Sequence, residues 1–439
     1  MKFSIDTLGC KVNHSESDFI AKRLLEKGLE PVSWRDHPDF CVINTCTVTS
    51  QSDRKARQLI RKIKSKNKSG KIAVTGCFVV NNREFLDRQE IDFVISNKDK
   101  NRIPELIAKR AKISENLNNF KPVGYMWSGC LHSRPMVKIQ DGCQQKCSYC
   151  IVPKVRGKYR STPYHQILKE IEDFQRDGFE EVVLTGINLG KYGIDFRTDS
   201  PDMKGKINSL AELLEKIAAG TEIKRIRISS IEISDIDSSL LGALKKSSGH
   251  FVHHLHIPLQ SGSNQVLGFM RRPYTVQYYL KKIKALRRIF PDITLTTDVM
   301  VGFPGESKKD FTQTVEMMRE VNFSKVHVFK FSKRMDTKAY LLDRQVSEEV
   351  KSERSKILRD IGNRLRDDYI KKSIGKSLNV VCEKISDKDS IISGTSENYI
   401  KVYFSKGKKD FSLLRGKVMK VVANSKYKNG LWGILSYEY

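Results

Sequence analysis

Six of the chain's nine cysteines fall into two sets of three. Cys143, Cys147 and Cys150 form a compact CxxxCxxC, whereas Cys10, Cys46 and Cys77 are dispersed. Thiolate sulfur suits iron–sulfur clusters or zinc. A structural zinc site closes with a fourth ligand, and neither His nor Cys stands in the few residues after Cys150 to supply one. Three thiolates cannot close a four-iron cluster, so each set leaves one iron open for chemistry. An odd number of cysteines in a long chain fits metal or catalytic use better than a disulfide framework. Cys41, Cys130 and Cys382 fall outside both sets and are assigned to packing or the surface.

The elements that must position these residues alternate strand and helix, an α/β class. Apolar runs at 2–8, 39–44, 71–75 and 91–96 are separated by helical stretches near 15–27, 50–66 and 101–112, the rhythm of an open parallel sheet. Cys10, Cys46 and Cys77 each follow one of these strands, so they can converge on one edge of that sheet. The bland alternative is that each cysteine fills core space. After a polar linker at 113–131, strands are predicted at 136–140, 181–185, 225–229, 253–257, 293–297 and 325–330, suggesting a partial (β/α) barrel. The compact triplet follows the first of these strands, at the end of the sheet where α/β barrels carry their active sites. Val350, Ile357, Ile361 and Leu365 mark an amphipathic helix over 348–371. The remainder reads as a small antiparallel β-barrel. The expected division is 1–112, a linker at 113–131, 132–372 and 373–439.

Within the central series, strand alternation puts His254 and His256 on one face, opposite Leu255 and Ile257. Arg225, Arg227 and Ser229 alternate likewise with Ile226 and Ile228. A lumen-facing arginine can pair a ligand carboxylate or brace a neighbouring acid. The histidines read first as hydrogen-bonded interior groups. Gly186, Ile187, Asn188, Gln260 and Asp298 lie at predicted strand ends or in the lumen.

Lys and Arg total 79 against 51 acids, a net charge of +28 with pI near 9.6. Such an excess points to a polyanionic partner, RNA or DNA. Nine residues from Arg54 to Lys71 are basic and none is acidic. Lys401, Lys406, Lys408, Lys409, Lys417, Lys420, Lys426 and Lys428 add charge to the last segment. No apolar run is long enough to span a bilayer, and the N-terminus lacks a signal peptide's pattern, so a cytoplasmic protein is expected.

The segment DGCQQKCSYCIVP resembles the radical S-adenosylmethionine (SAM) enzymes. TLGCKVNHSESD, NTCTVTSQSDRKARQLIRK and TGC resemble the N-terminal domain of the methylthiotransferase family. The likeness continues through GCQQKCSYCIVPKVRG, LTGINLGKYG, RIRISSIE, HIPLQSGSNQVLGFMRR and DVMVGFPGE to a TRAM-like RNA-binding barrel at SENYIKV. It implies two 4Fe-4S clusters and SAM as cofactors. Cys143, Cys147 and Cys150 would hold the catalytic cluster that cleaves SAM to a radical, and Cys10, Cys46 and Cys77 an auxiliary cluster. Tyr149 would lie near the SAM adenine and Gly186, Ile187 and Asn188 near its methionyl group. Arg227, Ser229, Gln260 and Asp298 would be further cofactor-binding residues.

TLGCKVN and NTCTVTSQSDRK look most like the branch that methylthiolates N6-threonylcarbamoyladenosine in tRNA. The isopentenyladenosine branch typically reads GCQMN and the ribosomal-protein branch GCPKN. The implied partners are a tRNA anticodon stem-loop and an electron donor such as flavodoxin or ferredoxin, with a monomeric enzyme. A rival of another class is an RNA-binding protein with structural or redox-sensing clusters. Two departures stand out. Arg156-Gly157 is followed by Lys158, Tyr159, Arg160 and Ser161 rather than E-R-S-R, and SKRMDTKA lacks the family's glycine before the threonine.

Overall fold

The computed structural model describes residues 1–111, 132–198, 207–386, 390–405 and 414–436. The expected linker with Cys130, and Lys406, Lys408 and Lys409, lie outside them. The chain divides into two compact units. One joins Met1–His132 to Asp141–Gln144 and Cys150–Lys158; the other comprises Ser133–Gln140, Gln145–Tyr149 and Tyr159–Tyr439.

In the first unit β1 (Lys2–Thr7), β2 (Glu30–Pro31), β3 (Phe40–Thr45), β4 (Lys71–Gly76) and β5 (Phe93–Val94) form a parallel sheet ordered β2-β1-β3-β4-β5. Every residue of β3 is buried, as expected of a strand covered on both faces. Phe40 and Val42 pack with Ile20, Leu24, Ile103 and Ile107 of helices Lys11–Glu26 and Ile103–Arg110. Cys41 and Ile43 pack instead with Ala56, Ile60 and Ile63 of helix Ser50–Lys66. Cys41 is therefore a core residue. Strand order reverses direction between β1 and β3, which opens a crevice beyond their C-terminal ends.

In the second unit β6 (Met136–Asp141), β7 (Arg160–Ser161), β8 (Glu181–Gly186) and β9 (Arg225–Ile228) form one sheet ordered β7-β6-β8-β9. A second contains β10 (His254–His256), β11 (Thr294–Val301) and β12 (Lys325–Lys330). Parallel bridges Ile226↔Phe251 and Ser230↔His256 join β9 to the β10 side. The result is the expected open run of six parallel strands with intervening helices, followed by helix Glu348–Lys371.

The last five strands, β13 (Ser377–Ser386), β14 (Ile391–Ser396), β15 (Lys401–Ser405), β16 (Val418–Tyr427) and β17 (Gly430–Leu435), close into a barrel ordered β13-β14-β15-β17-β16. One correction applies: β15 and β17 run parallel. An odd number of strands in a closed ring cannot alternate direction throughout, so one pair has to be parallel. Cys382 lies in the barrel core with Val380, Ile392, Val402, Phe404 and Leu431.

The barrel docks on the N-terminal ends of β8 and β9, and here Arg227 finds its partners. Its guanidinium pairs with Glu181 at 2.8 Å and donates to the carbonyls of Ser396 and Glu397 at 3.0 and 3.2 Å. Arg225 pairs with Glu181 at 2.6 Å and donates to Asn379 O at 2.7 Å. Arg134 stands 3.7 Å from Glu181. Burial opposes ionisation of Glu181, yet the charges of Arg227, Arg225 and Arg134 hold its carboxyl down at about 2. Arg227 therefore braces a buried acid and the barrel, which displaces the expectation that it meets the SAM carboxylate. His254 stacks on Tyr399 with ring centroids 4.4 Å apart. His254 and His256 each stand 3.0 Å from Thr296 Oγ1.

Candidate active site

The dispersed cysteines are brought together by register. Thr7 pairs with Asn44, Asn44 with Thr75 and Thr45 with Gly76, so β1, β3 and β4 end level. Cys10, Cys46 and Cys77 follow directly. Gly9 has φ +114°, and a Cβ there would stand 2.7 Å from Cys46 Cβ, so only glycine lets these two turns approach. Asn13 fixes the approach from the other side. Its Nδ2 donates to Leu8 O at 2.7 Å and to Thr45 O at 3.0 Å, tying the turn before Cys10 to the turn before Cys46. Burial pushes the Cys46 thiol up to about 11, and the neighbouring Cys77 and Cys10 add to that rise. Ionising these thiols together needs compensating positive charge, which bound metal supplies.

Among the described residues no three His, Cys, Asp or Glu side chains stand close enough to share a single metal ion. A four-iron cluster makes a different demand, because each thiolate takes its own iron and the sulfurs surround the cluster instead of meeting at a point. Three thiols on adjacent strand ends, two buried and one exposed, meet that demand.

The compact cysteines lie on the loop after β6. Gly142 has φ +74°, and a Cβ there would collide with Lys158 O, so the loop packs flush against the segment that follows it. Cys143 N–H donates to Gly157 O at 3.0 Å. Ile151, directly after Cys150, packs with Val155 and with Cys77. Asn97 Nδ2 donates to Val155 O at 3.0 Å and stands 3.7 Å from Cys77 Sγ. The segment leaving the compact triplet thus lies against a cysteine of the dispersed one.

A buried charge network reinforces that packing. Arg156, 2% exposed, pairs with Glu16 at 2.7 Å and Asp141 at 3.3 Å, and donates to Asn13 Oδ1. Glu16 also pairs with the buried Lys100, which donates to Asn44 Oδ1 at 3.2 Å. Two cations face two carboxylates with little solvent access; burial opposes each charge, and it is the mutual pairing that lets such groups stay ionised.

In the second unit, Tyr149 packs edge-on to Phe303 at 6.4 Å, beside Val266 and Met270. Ser148 N–H donates to Met270 O at 3.1 Å. Cys147 Sγ receives a hydrogen bond from Arg272 Nη1 at 3.3 Å. Gly186 ends β8 and Ile187 and Asn188 follow it; Asn188 N–H donates to the buried Gln140 Oε1 at 2.8 Å. Ser229 directly follows β9, its buried hydroxyl without a hydrogen-bond partner among the described residues. Asp298 Oδ1 lies 3.3 Å from His256 Nε2. Gln260, at φ +64°, bridges β11 through Asp298 O and Met300 N. Gly186 closes its strand and Ile187, Asn188, Ser229 and Gln260 follow the C-terminal ends of theirs, whereas Asp298 lies mid-strand because β11 runs on to Val301.

Sequence reasoning missed Asn13, Glu16, Lys100, Gln140, Arg156 and Arg272 as parts of the site. Most lie inside the motifs quoted above, so the motif text was the available signal. The departure at SKRMDTKA resolves simply: Asp336, directly before Thr337, takes the left-handed φ of +67° itself.

A family model described as the radical SAM superfamily matches residues 137–318, and one described as uncharacterized protein family UPF0004 matches residues 2–96. A threonylcarbamoyladenosine tRNA methylthiotransferase of Bacillus subtilis (strain 168) is 37% identical over 94% of this chain and 92% of its own. A tRNA-2-methylthio-N(6)-dimethylallyladenosine synthase of Syntrophus aciditrophicus (strain SB) is 35% identical over 98% of this chain and 93% of its own. Among solved structures, a radical S-adenosylmethionine methyltransferase of Kitasatospora setae superposes with TM-score 0.53 at 13% identity, covering 75% of this chain and 74% of that one, a likeness of fold. Level strand ends that gather three thiols, a second triplet after the first barrel strand, and relatives matching almost end to end agree: the chain belongs to the radical SAM methylthiotransferase family, transferases that use SAM and 4Fe-4S clusters.

Proposed function

We propose that this enzyme methylthiolates carbon 2 of N6-threonylcarbamoyladenosine next to the anticodon of tRNA. The observation that carries the reading is the 37% identity, over nearly the whole chain, to a relative named for that reaction. Cys143, Cys147 and Cys150 hold one cluster and Cys10, Cys46 and Cys77 the other. When bound, the clusters and SAM supply a radical able to attack an aromatic C–H, together with the sulfur to be inserted. The protein's own residues do the placing. Ile151 and Val155 pack with Cys77, and Arg156 with Glu16 and Asn13, which holds the segment after Cys150 against the dispersed set.

Two surfaces suit tRNA. On helix Ser50–Lys66, Asp53, Ala56, Ile60 and Ile63 face the core while Arg54, Lys55, Arg57, Arg61, Lys62 and Lys66 are exposed. On the barrel Tyr403, Tyr427 and Trp432 form an edge-on cluster with centroids 5.1 and 5.4 Å apart. Lys428 lies 5.0 Å over Tyr427. Aromatic rings beside cations are the usual means of holding unstacked RNA bases. Among the described residues no helix is long and apolar enough to cross a membrane.

The 35% identity to a dimethylallyladenosine-type synthase supports a second substrate, the isopentenylated adenosine. Nucleoside mass spectrometry of tRNA from cells with and without the gene separates them. Loss of 2-methylthio-N6-threonylcarbamoyladenosine alone is expected. The RNA-binding rival fails if dithionite-reduced protein forms 5′-deoxyadenosine from SAM. About eight irons per chain are expected, falling to about four when Cys10, Cys46 and Cys77 are replaced by alanine.

A further inference from the structure

Arg272 is 8% exposed and carries a side-chain donor directed at a cysteine sulfur of the compact set. Its Nη1 donates to Cys147 Sγ at 3.3 Å, its Nε to Tyr274 Oη at 3.2 Å, and its Nη2 to Glu232. Tyr274 is fixed in turn through the carbonyls of Pro258 and Leu259 at 3.1 and 3.0 Å. The guanidinium is therefore clamped on three sides, with its plane set before any cluster binds. As a thiol, Cys147 also lies 3.6 Å from Gln145 Oε1 as a donor. Metal binding removes that proton. A metal-bound thiolate can only accept, so the bond from Arg272 is the one that persists.

Iron–sulfur potentials follow net charge, hydrogen bonds to sulfur and exposure. Reduction adds one negative charge to the cluster. A buried cation with an N–H on a ligand sulfur stabilises the reduced form more than the oxidised one, and Glu232 on the far side of the guanidinium opposes it. We propose that Arg272 is a positioning residue that sets the reduction potential of the compact cluster, with Glu232 as the counterweight limiting how far it is raised. The proposal rests on the reading that Cys143, Cys147 and Cys150 hold a cluster.

The test is an electron paramagnetic resonance redox titration of full-length protein in which Cys10, Cys46 and Cys77 are alanine, leaving one cluster. Iron content is read first: about four irons per chain are needed, and their absence overturns the underlying reading rather than the role of Arg272. Arg272→Gln should lower the reduced-to-oxidised ratio at a fixed potential about tenfold, equivalent to about 59 mV for one electron. Glu232→Gln should shift the ratio the opposite way. A residue that merely braced the fold would not give opposite signs. Unchanged titrations in iron-loaded variants, or a shift in the same direction for both, overturn the proposal. If Arg272→Gln does not retain iron, Glu232→Gln alone decides by its sign.

Discussion

Asn13 performs three tasks with one amide: it tethers the turns before Cys10 and Cys46 and accepts from Arg156. Asn13→Leu keeps the volume but removes the side-chain donor of Leu8 O, at about 1–3 kcal/mol if that carbonyl stays buried, while Thr45 O keeps the Cys77 N–H at 3.0 Å. Iron content should drop toward about four per chain while SAM cleavage by the compact site continues. Arg156→Met removes the cation shared by Glu16 and Asp141 and leaves Lys100 to pair Glu16 alone, a destabilisation of about 3–5 kcal/mol, checked by urea unfolding. Asp336→Val should destabilise by about 1–2 kcal/mol because a β-branched residue resists the left-handed region, whereas Asp336→Gly should not. The compact cysteines were legible from type and spacing, because metal chemistry restricts which residues can serve; the dispersed three depended on their placement after strands and on the family resemblance. Their supporting residues were not legible. Asn, Glu and Lys are commonplace on helix surfaces, and only the folded register turns these three inward.

On the proposed function, helix Ser50–Lys66 and the terminal barrel should make separable contributions to RNA binding. Arg54→Ala with Lys55→Ala should reduce the slope of log affinity against log salt by about 0.7–0.9 for each phosphate that is no longer neutralised. Tyr427→Ala should cost about 1–3 kcal/mol of stacking with the slope nearly unchanged. Filter binding across a salt series distinguishes the two. At this scale the parallel sheet, the six-strand run and the barrel were readable from apolar periodicity. The parallel pairing of β15 with β17 was not, since it follows from how a five-strand ring closes rather than from any local pattern. The role of Arg227 was obscured for a related reason. Alternation places it on a face, but the Glu181 side chain and the barrel carbonyls packed against that face decide which partners it meets.

The whole molecule carries +28, so its interior ion pairs must hold against general self-repulsion. Glu181, the hub of three arginines, contributes stability because its folded carboxyl lies at about 2 against an ordinary 4.5. A depressed acid gives its full contribution above the unfolded value and loses it as pH falls toward the folded one. Metal-free wild type should therefore exceed Glu181→Gln in urea midpoint at pH 7, and the gap should shrink between about pH 4.5 and 2. The unit that begins at Met1 takes back Asp141–Gln144 and Cys150–Lys158 after the chain has entered the central strands. Chimeras between relatives are usually cut at the connecting segment. Here that cut severs Glu16 and Cys77 from their own packing partners. A transplantable first unit must carry 141–144 and 150–158 along with the first hundred residues, or it leaves its own packing partners behind.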